Sequence, residues 1–269
     1  LYPPIVTEAD PQALAAVLLP LARARRDELA AFIASPPQTN EVRRTLCLFG
    51  GFATVAAETG LPLRCLEIGA SAGLNLNWPR FHYDFGAAGV WGDPASPVRI
   101  DGAWSGPPPP LGPMEVVERR GCDIAPVDIR DPRQARRLRA YVWADQRERV
   151  ARIDGAIALA LETGLDLVQA DAGDWVEAHV RPVPGTATVL YHSVMWQYMP
   201  AATQDRITAH MTRMGTLATA EAPVAWLSME MVSGQALMDV TLRLWPNGGQ
   251  RRLAAVHSHG ASVEWTGGA

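Results

Sequence analysis

"LEIGASAGLNLN", residues 66–77, decides how this chain is read. The mostly apolar run from Leu63 to Ile68 ends in a cluster of small residues and asparagines. That is the pattern of a buried strand turning sharply into a helix, which "SAGLNL" opens. Two spacings overlap in it. Gly69, Ser71 and Gly73 spell G-x-S-x-G, and Glu67, Gly69 and Gly73 spell E-x-G-x-x-x-G. The first would present a serine nucleophile at the turn, whereas the second would present a carboxylate and two glycines to a bound molecule.

The flanking sequence says what kind of sheet the strand enters. Before it, residues 8–60 read as helices. Leu14, Val17, Leu18 and Leu21 follow helical spacing, and Pro36-Pro37 breaks the run. Thr39 or Asn40 is placed to cap a second helix that carries Val42, Leu46, Phe49, Ala53 and Ala56 on one face and ends before Gly60. After it, residues 78–113 are rich in aromatics, Gly and Pro, and read as turns and short strands. "MEVVERRGCD" is the second strand. A helical stretch follows, with Asp131 as N-cap and Pro132 at its first position. "LDLVQADAG", "TATVLYHSVMW" and "PVAWLSMEM" are the next three strands, with helical "PAATQDRITAHMTRMG" between the last two. "DVTLRLWP", "NGG" and "QRRLAAVHSHGASVEW" close the chain as a hairpin.

Strands alternating with helices predict an α/β domain with a doubly wound, mostly parallel sheet. The expectation is seven strands with a C-terminal antiparallel hairpin over residues 63–269, preceded by a helical N-terminal cap over 1–62. The first residue is Leu1 rather than methionine, and a longer chain is expected.

Composition narrows the function classes. The 269 residues are 48% hydrophobic and 19% charged, enough to bury a sizeable core, and the net charge of −4 argues against a general nucleic-acid binder. Cys47, Cys65 and Cys122 are too few and too scattered for a disulfide framework or a zinc site, so a reducing, cytoplasmic setting is expected. No apolar run reaches the roughly 18 residues of a membrane span, and "ALAAVLLPLA" follows acidic "TEAD" rather than a basic signal-peptide start. All 24 basic residues are arginine, which excludes a Walker P-loop and Schiff-base chemistry.

The two readings of residues 66–77 make different demands downstream. A nucleophile elbow needs several strands before it and an oxyanion loop from one of them. Here the preceding 60 residues are helical, although Ser71, Asp171 and His257 or His259 do follow the order of a hydrolase triad. The dinucleotide fingerprint fits less well, because Ser71 and Leu74 stand where its second and third glycines belong. A nucleotide-type cofactor at the carboxyl edge needs an acid after the second strand and a polar residue after the third. "GCDIAP" supplies Asp123 with Ile124, and "QADAGDW" supplies Asp171 with Ala172. Glu67, Gly69, Ala70, Ser71, Gly73 and Asn75 of the first loop, with His192 after the fourth strand, complete the candidate set. These are the positions that hold S-adenosylmethionine (SAM) in class I methyltransferases, whose Rossmann-like fold this order of elements resembles. Two departures stand out. Ser71 replaces a frequent glycine, and Glu67 and Asp123 are 56 residues apart where a simple βαβ unit has about 20. The insertion at 78–113 accounts for the length and is placed to form a lid or substrate wall.

"QTNEV" (38–42), "LEIGASAGLNLNWPRFHYDFG" (66–86), "WGDPASPV" (91–98), "RRGCDIAP" (119–126), "VWADQRERV" (142–150), "YHSVMWQYMP" (191–200) and "AWLSME" (225–230) together resemble a bacterial family known only as domain-of-unknown-function family 2332. The resemblance spans nearly the whole chain. It implies a class I methyltransferase-like fold and leaves the reaction open.

The expected activity is SAM-dependent methyl transfer to a small-molecule or protein acceptor. Such transfer needs chiefly a positioned acceptor and at most one proton removed, for which His192 or Tyr198 is placed as base. The alternatives are a non-catalytic ligand- or partner-binding protein on the same scaffold, and a serine hydrolase using "GASAG". No metal site is expected: His257 and His259 alternate along a strand without a nearby carboxylate. Trp78, Phe81, Tyr83, Phe85, Trp91 and Trp104 are expected to pack the insertion onto the sheet, a subset lining an aromatic substrate pocket. The eight arginines at 130–152 read as a solvated face with pairs such as Asp145–Arg149 and Glu148–Arg152. Asp174 is the expected N-cap of the helix after the third strand. The absence of an Asn/Asp-Pro-Pro-aromatic segment and of a Pro-Cys dipeptide argues against nucleic-acid methylation.

Overall fold

The structure is a computed structural model that describes residues 10–34 and 38–267; the expected break at Pro36-Pro37 lies outside the described residues. Among the described residues three helices lead: α1 (Pro11–Ala24), α2 (Arg26–Ile33) and α3 (Arg44–Thr59). Strand β1 (Leu63–Ile68) follows. The insertion supplies β2 (His82–Asp84), β3 (Val90–Trp91), β4 (Arg99–Asp101) and β5 (Ala103–Ser105). Then come β6 (Val116–Asp123), α4 (Pro132–Ala140), α5 (Arg147–Thr163), β7 (Asp166–Gln169), α6 (Ala172–His179), β8 (Ala187–Ser193), α7 (Ala201–Leu217) and β9 (Val224–Met231). The chain closes through β10 (Met238–Trp245), β11 (Gln250–Val256) and β12 (Ser262–Trp265).

These elements form a mixed α/β fold with a large, mostly parallel sheet in the order β5-β12-β11-β10-β9-β8-β1-β6-β7. Among the described residues it has nine strands rather than the expected seven. The stretch read as one closing strand bends at 257–261 and returns as β12, which then pairs in parallel with β5 from the insertion. β7, β6, β1, β8 and β9 are mutually parallel, and β10 and β11 extend the sheet antiparallel. β1 is buried along its whole length, as expected of a parallel strand covered on both faces. Cys65, Tyr191 and Leu227 share one core with α3 and α5, whereas Leu66, Leu190 and Val224 share the other with α6 and α7.

Helix α3 is buried all round from Arg44 to Val55, not along one stripe. One side lies on the sheet, where Gly50 meets the Trp265 ring and Gly51 meets Leu227; any side chain at either glycine would have to displace them. The other side is covered by the insertion. Trp78, Phe81, Tyr83 and Phe85 are at most 1% exposed, and Trp78 stacks on Phe52 at 4.3 Å. These four aromatics are core rather than pocket lining. Thus α3, expected as part of a cap, shares one core with the strands of the main sheet. By contrast α1 and α2 bury no residue, and the apolar stripe of α1 stays outside, with Val17 66% exposed.

Two expected helix details change. "SAGLNL" does not open an α-helix: Leu74–Arg80 is a 3-10 turn. Pro79 lacks the N–H a continuing α-helix would need, and its ring would press on the carbonyl four residues earlier. Asn40 does not cap α3 either. Its Oδ1 accepts the Leu74 N–H at 2.9 Å, tying the N-terminal segment to the loop after β1. Asp131 caps α4 as expected, by accepting the Arg133 N–H.

Candidate functional site

Chain order reverses at β1, which lies between β6 and β8. In open α/β sheets the crevice beyond the carboxyl ends at such a reversal is where ligands bind. Two loops meet there, residues 69–73 after β1 and residues 194–195 after β8. Gly69, Ser71 and Gly73 have φ of 66°, 54° and 71°, a region in which glycine is unstrained and serine is not. Val194 also has φ of 54°, which is unusual for a β-branched residue and costs about 1–3 kcal/mol.

Glu67 sits at the end of β1, 3% exposed, and its Oε2 accepts the Tyr191 hydroxyl at 3.2 Å. Burial pushes its pKa up to about 8; the Tyr191 hydrogen bond opposes the rise and the Asp123 charge adds to it. The carboxyl is therefore largely protonated at neutral pH. Asp123 ends β6, and both of its oxygens are engaged: Oδ2 accepts the Ser71 N–H at 2.8 Å and Oδ1 the Ala125 N–H at 2.9 Å. Ala70 is buried, and its N–H donates to the Cys122 carbonyl. Asn75 is buried beside Glu41, with its Oδ1 lacking a partner among the described residues. Ile124 follows Asp123 and is 68% exposed. Together with Ala125, Gln169 and Tyr141 it lines a cavity of about 510 Å³ beyond the ends of β6 and β7.

Other expected residues have local duties. Asp171, not Asp174, is the N-cap of α6, accepting the Gly173 and Asp174 N–H groups, and Ala172 is the first residue of that helix. Asp174 pairs instead with Arg206 at 2.7 Å. Tyr198 lies on a 3-10 turn, 77% exposed. The serine, aspartate and histidine of the hydrolase reading are not joined. Ser71 Oγ is buried without a partner among the described residues, and Asp171 is turned to its helix end. His257 and His259 lie in the turn before β12, not on a strand, with the His259 N–H donating to His257 Nδ1. The expected Asp145–Arg149 and Glu148–Arg152 pairs give way to tertiary partners. Arg149 reaches the buried Glu41 at 2.6 Å, because a buried carboxylate needs a counter-charge more than an exposed one does, and the buried Arg152 reaches the exposed Asp101 at 3.1 Å.

Side chains alternate across a strand, so Tyr191 faces Glu67 on the α3 side while His192 faces the α7 side. The structure therefore separates His192 from the Glu67 cluster. His192 is 2% exposed and held from two directions: its Nδ1 lies 2.6 Å from Glu230 Oε1, and its Nε2 lies 3.0 Å from Trp226 Nε1. An indole nitrogen can only donate, so Nε2 accepts and Nδ1 carries the proton given to Glu230. This leaves His192 no free lone pair in this arrangement. Glu230 and Tyr191 are the partners that sequence reasoning missed. Both stand inside quoted motifs, "AWLSME" and "YHSVMWQYMP", and strand alternation assigns their faces once the pairing of β8 with β9 is known.

A bacterial protein family described as "Uncharacterized protein conserved in bacteria (DUF2332)" matches residues 1–265. The chain belongs to this family. No curated protein and no solved structure shows significant similarity to it. Among the described residues of this DUF2332 chain, no group of three His, Cys, Asp or Glu side chains is arranged to hold a metal ion. No helix among them is long and apolar enough to cross a membrane.

Proposed function

We propose that this chain is a SAM-dependent methyltransferase of Rossmann-like type, with the cofactor in the crevice beyond β1 and β6. The observation that carries the reading is the cavity of about 510 Å³ lined by Ile124, Ala125 and Gln169, next to the Glu67–Gly73 loop and Asp123. An exposed apolar residue directly after an acid suits the face of a nucleobase joined to a ribose. Glu67 and the backbone of Gly69 would meet the amino-acid end of SAM, Asp123 the ribose, and Ile124 with Gln169 the adenine. SAM supplies an activated methyl group, and the protein supplies position and a dry surface.

Calorimetric titration with SAM and S-adenosylhomocysteine tests this. A cationic ammonium next to Glu67 lowers the raised carboxyl pKa, so binding at pH 7 releases a proton. The heat then differs between buffers of different ionisation enthalpy. No heat and no thermal shift at millimolar ligand would sink the cofactor assignment. Asp123→Ala by itself does not discriminate, since it also frees the Ser71 and Ala125 N–H groups and costs roughly 1–3 kcal/mol of stability.

A second reading, a non-catalytic protein that binds another ligand or a partner, is favoured by Met195. Its side chain covers Gly69 so closely that a methyl group there would lie 2.8 Å from Met195 Cγ. Methionine is flexible and can swing clear. Under the methyltransferase reading Met195→Ala binds S-adenosylhomocysteine at least as tightly as the parent. Under the second reading neither protein binds it.

A further inference from the structure

We propose that a second ligand site, for an extended zwitterion, lies on the α7 side of the sheet, and that Glu230 and Arg243 receive its opposite charges. The proposal does not depend on the SAM reading. A cavity of about 230 Å³ opens over β8 to β11, lined by His192, Trp196, Trp226, Ser228, Glu230 and Arg243 among others.

Its floor is a charge gradient written in strand register. Glu230 stands opposite Asp239, Ser228 opposite Thr241, and Trp226 opposite Arg243. All face the same side, because their neighbours Leu227, Met229, Val240 and Leu242 fill the opposite core. One end is therefore acidic, the middle carries two hydroxyls hydrogen-bonded to each other at 2.8 Å, and the far end is basic. From Trp226 to Glu230 is four residues of β-strand, about 13 Å between α-carbons. Side chains reaching inward leave charged ends separated by several bonds, longer than an α-amino acid.

The charges at the two ends are not equally committed. Asp239 is paired with Arg252 at 2.7 Å. Glu230 Oε1 takes three donors: His192 Nδ1 and the Met195 and Trp196 N–H groups. Glu230 Oε2 has no partner among the described residues. A buried carboxylate oxygen left in that state marks the place of a missing donor. Arg44 of α3 feels the Glu230 charge from the other face of the sheet, without an ion pair between them among the described residues. At the basic end Arg243 Nε donates to the Gly248 carbonyl at 3.0 Å, which anchors the side chain while its two terminal nitrogens keep no protein hydrogen bond among the described residues. A planar guanidinium held in this way is prepared for a carboxylate.

The walls suit a hydrocarbon body ending in an ammonium. Trp196 stacks on His192 at 5.1 Å, and its ring lies 5.4 Å from that of Trp226. Indole faces beside a carboxylate favour an alkylammonium through the ring quadrupole. Because Trp226 donates to His192 Nε2 while Nδ1 faces Glu230, the imidazole is engaged on both sides and works as a positioning residue, fixing Glu230 rather than touching the ligand.

The probe is 6-aminohexanoate, compared with hexylamine, hexanoate and glycine by tryptophan fluorescence and calorimetry on the unmodified chain. The zwitterion is expected to bind about tenfold or more tightly than either singly charged analogue, and glycine not measurably. Glu230→Gln is expected to abolish the advantage over hexanoate, and Arg243→Gln the advantage over hexylamine. Equal affinity for 6-aminohexanoate and hexanoate overturns the Glu230 assignment, and equal affinity with hexylamine overturns that of Arg243. Absence of binding by all four at about 10 mM, a limit near the weakest measurable affinities, overturns the site. The four-ligand comparison decides the matter even where a variant fails to fold.

Discussion

Trp78→Ala is expected to lower unfolding stability by about 3–5 kcal/mol, the cost of emptying a large aromatic site in a closed core. Trp78 is fully buried, lies flat on Phe52 with 4° between the rings, and meets Phe49 edge-on at 6.3 Å. Its carbonyl accepts the Tyr83 hydroxyl at 3.0 Å, so the cavity opens where the insertion is fastened to α3. In a chain of this size each kcal/mol is worth about 2–4 °C in melting temperature, and the variant should melt roughly 10 °C lower. Trp78→Phe keeps part of the stack and should lose less than half as much. Urea titration followed by circular dichroism measures both. An alanine variant with the parent's midpoint would mean that the insertion is a detachable loop and not part of the core.

The second large effect is a dependence on pH carried by Glu67. Its folded pKa is raised to about 8 by burial, while unfolding returns it to the ordinary 4.5. Between those values the folded chain holds a proton that the unfolded chain has lost, so stability falls as pH rises from about 4.5 to 8 and levels off above. The groups facing Glu67 are the Tyr191 hydroxyl, which donates to it, and the Asp123 charge, which adds to the rise. Each step of one pH between the two values costs about 1.4 kcal/mol, which makes the loss a few kcal/mol across the window. Glu67→Gln removes the titration, so its unfolding free energy should vary much less across this range and exceed the parent's at pH 8. Parallel pH profiles for the two proteins would show that Glu67 ionises normally, as it would if water or a counter-charge reached it. The same proton connects stability to ligand binding, because a ligand cation that draws Glu67 into its charged form also removes this loss.

Much of the fold was legible in the chain. Apolar strands alternating with helices announce a parallel sheet, because each strand must be apolar on both sides and each helix must bury one stripe. Asp131-Pro132 and Gly60 mark helix ends through chemistry local to a few residues. The loop at Gly69–Gly73 was recognisable for the same reason, since positive φ is a property of single residues. Reading failed where long-range partners decide. Asn40 looked like the cap of its own helix, yet serves a loop 34 residues away. Asp171 took the cap role expected of Asp174, which pairs instead with Arg206 from α7.

The sequence by itself thus determined most of the strands and helices, and that small residues gather where β1 ends. These are consequences of periodicity, propensity and backbone sterics over a few residues. Only the tertiary structure decided that Tyr191 meets Glu67 while its neighbour His192 turns to the opposite face and meets Glu230. That assignment depends on how β1, β8 and β9 lie side by side, and strand register is set by packing across the whole sheet.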